Sequence, residues 1–291
     1  MTRPLIAARC GGVSGRMSAV PEPVLQLRAA SLRLGQRTLW SGLDLDVRPG
    51  EFLAVLGANG SGKTTLLRVL LGLLPLSAGE VLVEGHPARR GSRRIGYIQQ
   101  HQRVDPRTPL RVKDVVRLGL DGHRWGFGRP RHVPWDLVEQ ALAAVAAQHL
   151  ADTPIGLLSG GEQQRTRIAQ ALVSEPTLLL CDEPLLSLDP SSQGTITALI
   201  DARRRQRDTA VLFVTHEINP VLPYVDRVLY LAGGRFRVGS VDEVLNSATL
   251  SELYGAPIEV IRSGNRILVA GVPEVHEHTH HPLPPDAVAT G

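Results

Sequence analysis

The sequence predicts an α/β fold with an open sheet core, antiparallel strands near its N-terminus and an inserted α-helical segment. Three observations predict it. Phe52-Leu53-Ala54-Val55-Leu56, an apolar run of strand length, leads into a glycine-rich loop and then the apolar stretch 66–74, which reads as strand, loop and buried helix. Two more apolar runs, 177–181 and 210–214, have the length and bounds of buried strands. Strand signals then vanish between 101 and about 157, where helical spacing appears at 110–120 and again in the Ala-rich stretch 135–150.

The remaining elements follow in chain order. Alternation at 24–28 and 43–47 predicts two half-buried strands separated by a turn around Gly35, and Arg48-Pro49-Gly50 leads from them into the run at 52–56. After the first helix, 79–85 and 94–98 read as strands, the second ending at Gln99-Gln100. Residues 122–134, between the two helical stretches, form a loop rich in Gly, Arg and Pro. The pair Gly160-Gly161 opens a helix whose Ile168, Ala169, Ala171 and Leu172 make one apolar face. Strand signals at 227–231 and 235–238 flank Gly233-Gly234, and a helix over 249–254 follows. Residues 258–261 and 266–269 alternate about Ser263-Gly264-Asn265, a hairpin signal. The expected division is a disordered extension at 1–22, a main domain at 23–245 with its helical part at about 101–175, a small hairpin extension at 246–271, and a disordered His- and Pro-rich tail at 272–291. Translation starts at Met1 or Met17.

At 291 residues and 43% hydrophobic, the chain can bury a sizeable core in one large or two small domains. All of its 32 basic residues except Lys63 and Lys113 are arginine, and the formal charge is only +4. No segment holds a sustained basic block with interleaved aromatics, so no nucleic-acid partner is expected. Arg203-Arg204-Arg205 reads as a solvated helix face. No run approaches the roughly 20 apolar residues that a membrane-spanning helix needs. Cys10 and Cys181 are too few and too far apart for a disulfide framework, which fits a reducing cytoplasm, and Cys181 reads as a buried thiol. The N-terminus lacks the apolar segment of a secretory signal, and Arg9 beside Cys10 disfavours a lipoprotein cleavage site.

The loop Gly57-Ala58-Asn59-Gly60-Ser61-Gly62-Lys63-Thr64-Thr65 has the form G-x-x-x-x-G-K-[ST] in its expected strand and helix context. Its glycines let the backbone curl until successive N–H groups point at phosphate oxygens, and the helix start adds partial positive charge. Lys63 would then reach the β- and γ-phosphates, and the Thr64 hydroxyl would ligate Mg²⁺. The run 177–181 delivers Asp182 and Glu183 at its C-terminal end, where open α/β sheets bind ligands, and 210–214 ends at Thr215-His216. Each has a plainer alternative: a turn that binds nothing, a strand-end cap at Asp182-Glu183-Pro184, a core histidine at His216. Their shared strand-end placement favours chemistry.

Together these residues resemble the ATP-binding cassette (ABC) ATPases over about 24–240, in that family's order. Gly57 to Thr65 is similar to the Walker A loop, Gln100 to the Q-loop glutamine, and Leu158-Ser159-Gly160-Gly161-Glu162-Gln163-Gln164 to the signature motif, with Glu162 where Gln is usual. Gln99 competes with Gln100, and the Ile-Gly-Tyr-x-x-Gln spacing favours Gln100. Residues 178–183 resemble Walker B with its catalytic glutamate, Ser187-Leu188-Asp189 the D-loop, and His216 the switch histidine. One departure stands out: Leu34 occupies the place of the aromatic residue that stacks on adenine, and Trp40 reads as core.

The resemblance implies a P-loop NTPase with a RecA-like core that binds ATP and Mg²⁺ and hydrolyses ATP. In it, Lys63 and the loop amides hold the phosphates, and Thr64, Asp182 (through water) and Gln100 serve Mg²⁺. Glu183 polarises the attacking water and His216 stabilises the γ-phosphate. Ser159, Gly160, Gly161 and Asp189 serve the nucleotide of a second copy in a head-to-tail homodimer. It also implies a peripheral subunit at the cytoplasmic face of the membrane, paired with a separate permease that the helical insertion, especially 103–109, receives, and indirectly with an extracytoplasmic metal-binding protein. Residues 109–119 and 216–269 look like the zinc and manganese uptake branch. Iron-siderophore, haem or cobalamin import, or a soluble non-transport ATPase, are the alternatives. The tail residues His276, His278, His280 and His281 have metal-ligand chemistry, and a solvated tail with incidental affinity explains them as well.

Overall fold

The computed structural model describes residues 21–100, 104–121, 134–186 and 188–271. Residues 1–20 of the expected N-terminal extension, the whole expected C-terminal tail with its histidines, most of the 122–134 loop, Arg103 and Ser187 lie outside the described residues.

Strands β1 (Leu25–Leu34) and β2 (Arg37–Val47) form a hairpin that closes on the pair Leu34 and Arg37. Strand β3 (Phe52–Gly57) runs through the glycine loop into helix α1 (Lys63–Leu70). Then come β4 (Ala78–Val83), the short β5 (His86–Pro87), β6 (Ile95–Ile98), and helices α2 (Val112–Asp121), α3 (Trp135–Ala144) and α4 (Gly160–Leu172). The second half alternates β7 (Leu178–Asp182), α5 (Pro190–Arg207), β8 (Ala210–Val214), β9 (Arg227–Ala232) and β10 (Arg235–Gly239). It ends with α6 (Val241–Val244), α7 (Ser247–Tyr254) and the hairpin β11 (Glu259–Ser263) and β12 (Arg266–Ala270).

Two sheets organise these elements. The antiparallel one has the order β2-β1-β4-β5; the other has the order β10-β9-β3-β8-β7-β6 and is parallel except for its edge strand β10. The central strands are apolar throughout because both faces of the sheet are covered. On one face Phe52, Ala54, Leu179, Cys181, Val211 and Phe213 pack with α2 to α5, and Phe52 stacks on Phe213 at 5.6 Å between ring centroids. On the other, Leu53, Val55, Leu180, Leu212 and Leu229 pack with α1 and with Leu25, Leu27 and Trp40 of the antiparallel sheet. Burial of the Cys181 thiol pushes its pKa up and leaves it an inert core side chain. Among the described residues, no helix is long and apolar enough to cross a membrane.

Helix starts follow side-chain chemistry. Ser159 and Glu162 form a capping box on α4, Ser240 and Glu243 another on α6, and Asp189 accepts from the Ser192 N–H with Pro190 opening α5. Helix α7 begins at Ser247, two residues before the expected start, because Asn246 caps it.

Three further expectations change. The first helix stops at Leu70 instead of continuing to 74, because the chain turns at Gly72, whose φ is 66°. The second helix of the insertion ends at Ala144, and Ala146 adopts a φ of 53° so that Val145 and Ala147 both enter the core. The arginine run is not a solvated face: the Arg204 side chain is only 12% exposed. It pairs with Asp201 and Asp226, each at 2.8 Å, and donates to the Gly50 carbonyl at 2.9 Å, fastening α5 to the chain entering β3. Arg205, 66% exposed beside Asp201, is the solvated member.

Arg204→Ala strands the buried Asp201 carboxylate without that partner, and should cost roughly 2–4 kcal/mol in urea unfolding. Arg205→Ala should change stability by less than about 1 kcal/mol. Equal losses would reject the asymmetry. Gly57 has a φ of 141°, and a Cβ there would lie 2.1 Å from the Leu231 carbonyl oxygen. Gly57→Ala should therefore displace the loop backbone and lower stability by about 2 kcal/mol or more.

Candidate functional site

The glycine loop leaves the C-terminal end of β3, where β7 and β8 also end, so the side chains following these strands converge. Gly62, in the left-handed region at φ 100°, turns the loop into α1, with Trp40 packed beneath it and fully buried. Lys63 is 5% exposed and its Nζ donates to the carbonyls of Gly57 at 2.8 Å and Ala58 at 3.0 Å. Burial lowers its pKa, while the nearby carboxylates of Glu183 and Asp182 pull it back up. The Ser61 hydroxyl is buried with no hydrogen-bond partner among the described residues.

Both oxygens of Asp182 are engaged: Thr64 Oγ1 donates to Oδ1 and Tyr97 Oη to Oδ2, each at 3.3 Å. Burial, with Asp182 alongside, pushes the Tyr97 pKa up to about 12 and keeps the phenol a donor. Glu183 has a φ of 47°, an unusual conformation for a non-glycine residue, held by its N–H on the Val214 carbonyl at 3.0 Å. Its carboxylate contacts His216 Nε2 through Oε1, and the Gln100 amide through Oε2 at 3.5 Å.

A cleft of about 430 Å³ lies beside these groups, lined by Lys63, Thr64, Glu183 and His216 among them. Asn59, Gly60, Gly62, Lys63, Thr64 and Thr65 of the loop line it together with Glu183 and His216, and with Leu34, Arg37 and Leu39 of the β1–β2 hairpin. Gly57, Ala58 and Ser61 form the turn behind this wall. The structure thus brings together Lys63, Thr64, Asp182, Glu183, His216 and Gln100. Ser159, Gly160, Gly161 and Asp189 do not line the cleft. Ser159 caps α4 and donates its N–H and hydroxyl to one oxygen of Glu162 at 2.8 and 2.7 Å, which keeps that carboxyl below its usual pKa. Asp189 caps α5, and its two oxygens are held by Ser192 at 3.0 and 2.6 Å.

Sequence reasoning missed Tyr97, Arg37 and Arg167. Alternation along β6 places Tyr97 opposite Leu180 and within reach of Asp182. Arg37 is visible only once the β1–β2 hairpin is laid against the loop, where its Nη2 donates to the Gly60 carbonyl at 3.0 Å. Arg167, buried in α4, donates to the Gln100 carbonyl at 3.3 Å.

A family profile described as ABC transporter matches residues 40–186. The zinc import ATP-binding protein ZnuC 1 of Hahella chejuensis is 34% identical over 235 residues, covering 81% of this chain and 85% of that protein. Among solved structures, a transporter described as of the metal-chelate ABC type, in an inward-facing conformation, superposes with a TM-score of 0.72. It is 28% identical, and the match spans 85% of this chain and 96% of that one. An ATP-binding cassette solved as a post-hydrolysis dimer with ADP and phosphate superposes at 0.62 with 25% identity, over 75% of this chain and 98% of that one. The glycine loop, the paired carboxylates and the histidine facing them across one cleft fit that likeness throughout, and this chain belongs to the ABC transporter family as one of its ATP-binding cassettes.

Proposed function

We propose that this chain is the ATP-hydrolysing subunit that powers import of a metal ion, zinc or manganese, through a separate membrane permease. The observation that carries the ATPase reading is the cleft in which Lys63 faces Glu183 and His216. The import reading is supported by the named relative, a zinc import ATP-binding protein. That name favours a metal cargo over a siderophore, haem or cobalamin, and over a non-transport role.

The chemistry is positioning and charge neutralisation. Lys63 and the amides of Gly57 to Thr65 hold the β- and γ-phosphates, and the unpartnered Ser61 hydroxyl faces the same turn. Thr64 Oγ1 and Asp182 Oδ1, 3.3 Å apart, are hard oxygen donors of the kind Mg²⁺ takes alongside substrate phosphates, with Gln100 as a further contact. Bound there, Mg²⁺ neutralises charge on the phosphates. Glu183 accepts a proton from the attacking water, oriented by His216 and Gln100, and His216 also meets the γ-phosphate. Ser159, Gly160, Gly161 and Asp189 act on the nucleotide of a second copy, in keeping with their place outside the cleft and with the dimeric likeness. ATP thereby joins two cassettes head to tail, and hydrolysis releases them.

The segment beyond Gln100 receives the permease at the cytoplasmic face, and an extracytoplasmic protein delivers the metal. Val104 N donates to Gln163 Oε1 at 3.4 Å, so that segment is in contact with α4.

Glu183→Gln should keep ATP binding and accumulate an ATP-bound dimer in size-exclusion chromatography while hydrolysis falls by roughly a hundredfold or more. Normal turnover in that variant would reject the assignment. Lys63→Ala should abolish nucleotide binding by equilibrium titration. For cargo, a deletion strain starved by chelator should be rescued by zinc or manganese, and rescue by iron alone would overturn the metal assignment.

A further inference from the structure

We propose that the C-terminal hairpin β11–β12 sets the position of His216, with Asn219 as the positioning residue through which it does so. This rests on His216 serving the nucleotide as described above.

His216 lies on the segment 215–220 that follows β8, and its side chain is 42% exposed. A cavity of about 180 Å³ lies against this segment, lined by Glu183, Leu186, His216, Glu217 and Pro220 among others. The segment has room to shift on that side, so the place of His216 depends on how the two ends are held. At the upstream end Thr215 is buried. Its N–H donates to the Val55 carbonyl at 3.2 Å, and its hydroxyl donates to the Glu217 carbonyl at 2.9 Å and accepts from the Glu217 N–H at 3.1 Å.

At the downstream end Asn219 acts as a neighbouring strand would. Its Nδ2 donates to the Ile267 carbonyl at 3.0 Å, and its Oδ1 accepts from the Ile267 N–H at 2.8 Å. Ile267 is buried in the same apolar core as Ile218 and Val221, so both bonds close over a desolvated residue, where losing them is costly. The rest of the hairpin is fastened elsewhere. Ser251 of α7 bonds both backbone groups of Ile258 at 2.9 and 3.2 Å, and Arg262 pairs with Asp242 of α6 at 2.8 Å. Asn219 is therefore the place where the hairpin reaches the segment that carries His216.

A small misplacement of a group that meets the transferring phosphate slows the reaction more than it weakens substrate binding. Asn219→Leu keeps roughly the shape of the side chain and removes both bonds. In the full chain it should lower kcat roughly tenfold and leave KM for ATP within about twofold. It should also shift or split the His216 ring signal in the NMR spectrum of the nucleotide-free protein, a signal identified by its absence in His216→Gln. Added to His216→Gln, it should cause no further loss of kcat. Ser251→Ala removes the two bonds at Ile258 and serves as the control: it should lower stability in urea to a similar extent while kcat and the ring signal stay unchanged. An unmoved ring signal in Asn219→Leu would overturn the clamp, as would an equal fall in kcat in Ser251→Ala. Normal turnover by His216→Gln would instead reject the role given to His216, and the ring signal, which needs no turnover, would still decide the clamp.

Discussion

An ammonium as deeply buried as that of Lys63 is costly unless its surroundings supply acceptors and opposing charge. Two loop carbonyls accept from it, and they can face it only because Gly57 adopts a backbone angle that a Cβ would block against Leu231. The opposing charge comes from Asp182 and Glu183, which reach the loop because β7 lies one strand away from β3 across β8. Desolvation still outweighs their attraction, so the protein without nucleotide carries a cation short of negative charge. In the proposed function a triphosphate supplies that charge, and the sheet order holds the place for it.

The parts legible in the sequence were those that depend on short-range chemistry. Phe52 to Leu56, Leu178 to Cys181 and Ala210 to Val214 are apolar without alternation because both faces of the sheet are covered, and strands of that kind can be read directly. The start of α4 was marked by Gly160-Gly161, and Ser159 caps it, whereas the caps Asp189 of α5 and Asn246 of α7 were not read from the sequence. What the chain order concealed depends on which strands become neighbours. Tyr97 meets Asp182 across 85 positions, through the pairing of β6 with β7. Arg204 is desolvated by Asp226 and Gly50, contacts no local pattern announces. The end of α3 escaped because Ala144, Ala146 and Ala147 have good helix propensity, and burying Val145 and Ala147 overrides it.

Within the proposed cycle, Gln100 is the residue through which the cleft and the helical segment touch. Its side chain contacts Glu183, its carbonyl is held by Arg167 of α4, and four residues on Val104 leans on Gln163 of the same helix. Helix α4 begins at Ser159 and Gly160, the group assigned to the second copy's nucleotide. A shift of Gln100 on nucleotide binding thus has a continuous path of hydrogen bonds into α4 and the segment beyond β6. The opposite side of the Glu183–His216 pair is tied more firmly, because Asn219, three residues after His216, exchanges two hydrogen bonds with Ile267 of β12 at 2.8 and 3.0 Å. Glu183 therefore stands between one contact that leads to the helical segment and another that is braced by the C-terminal hairpin. That asymmetry favours motion on the Gln100 side, since the bonds there are 3.3 to 3.5 Å long.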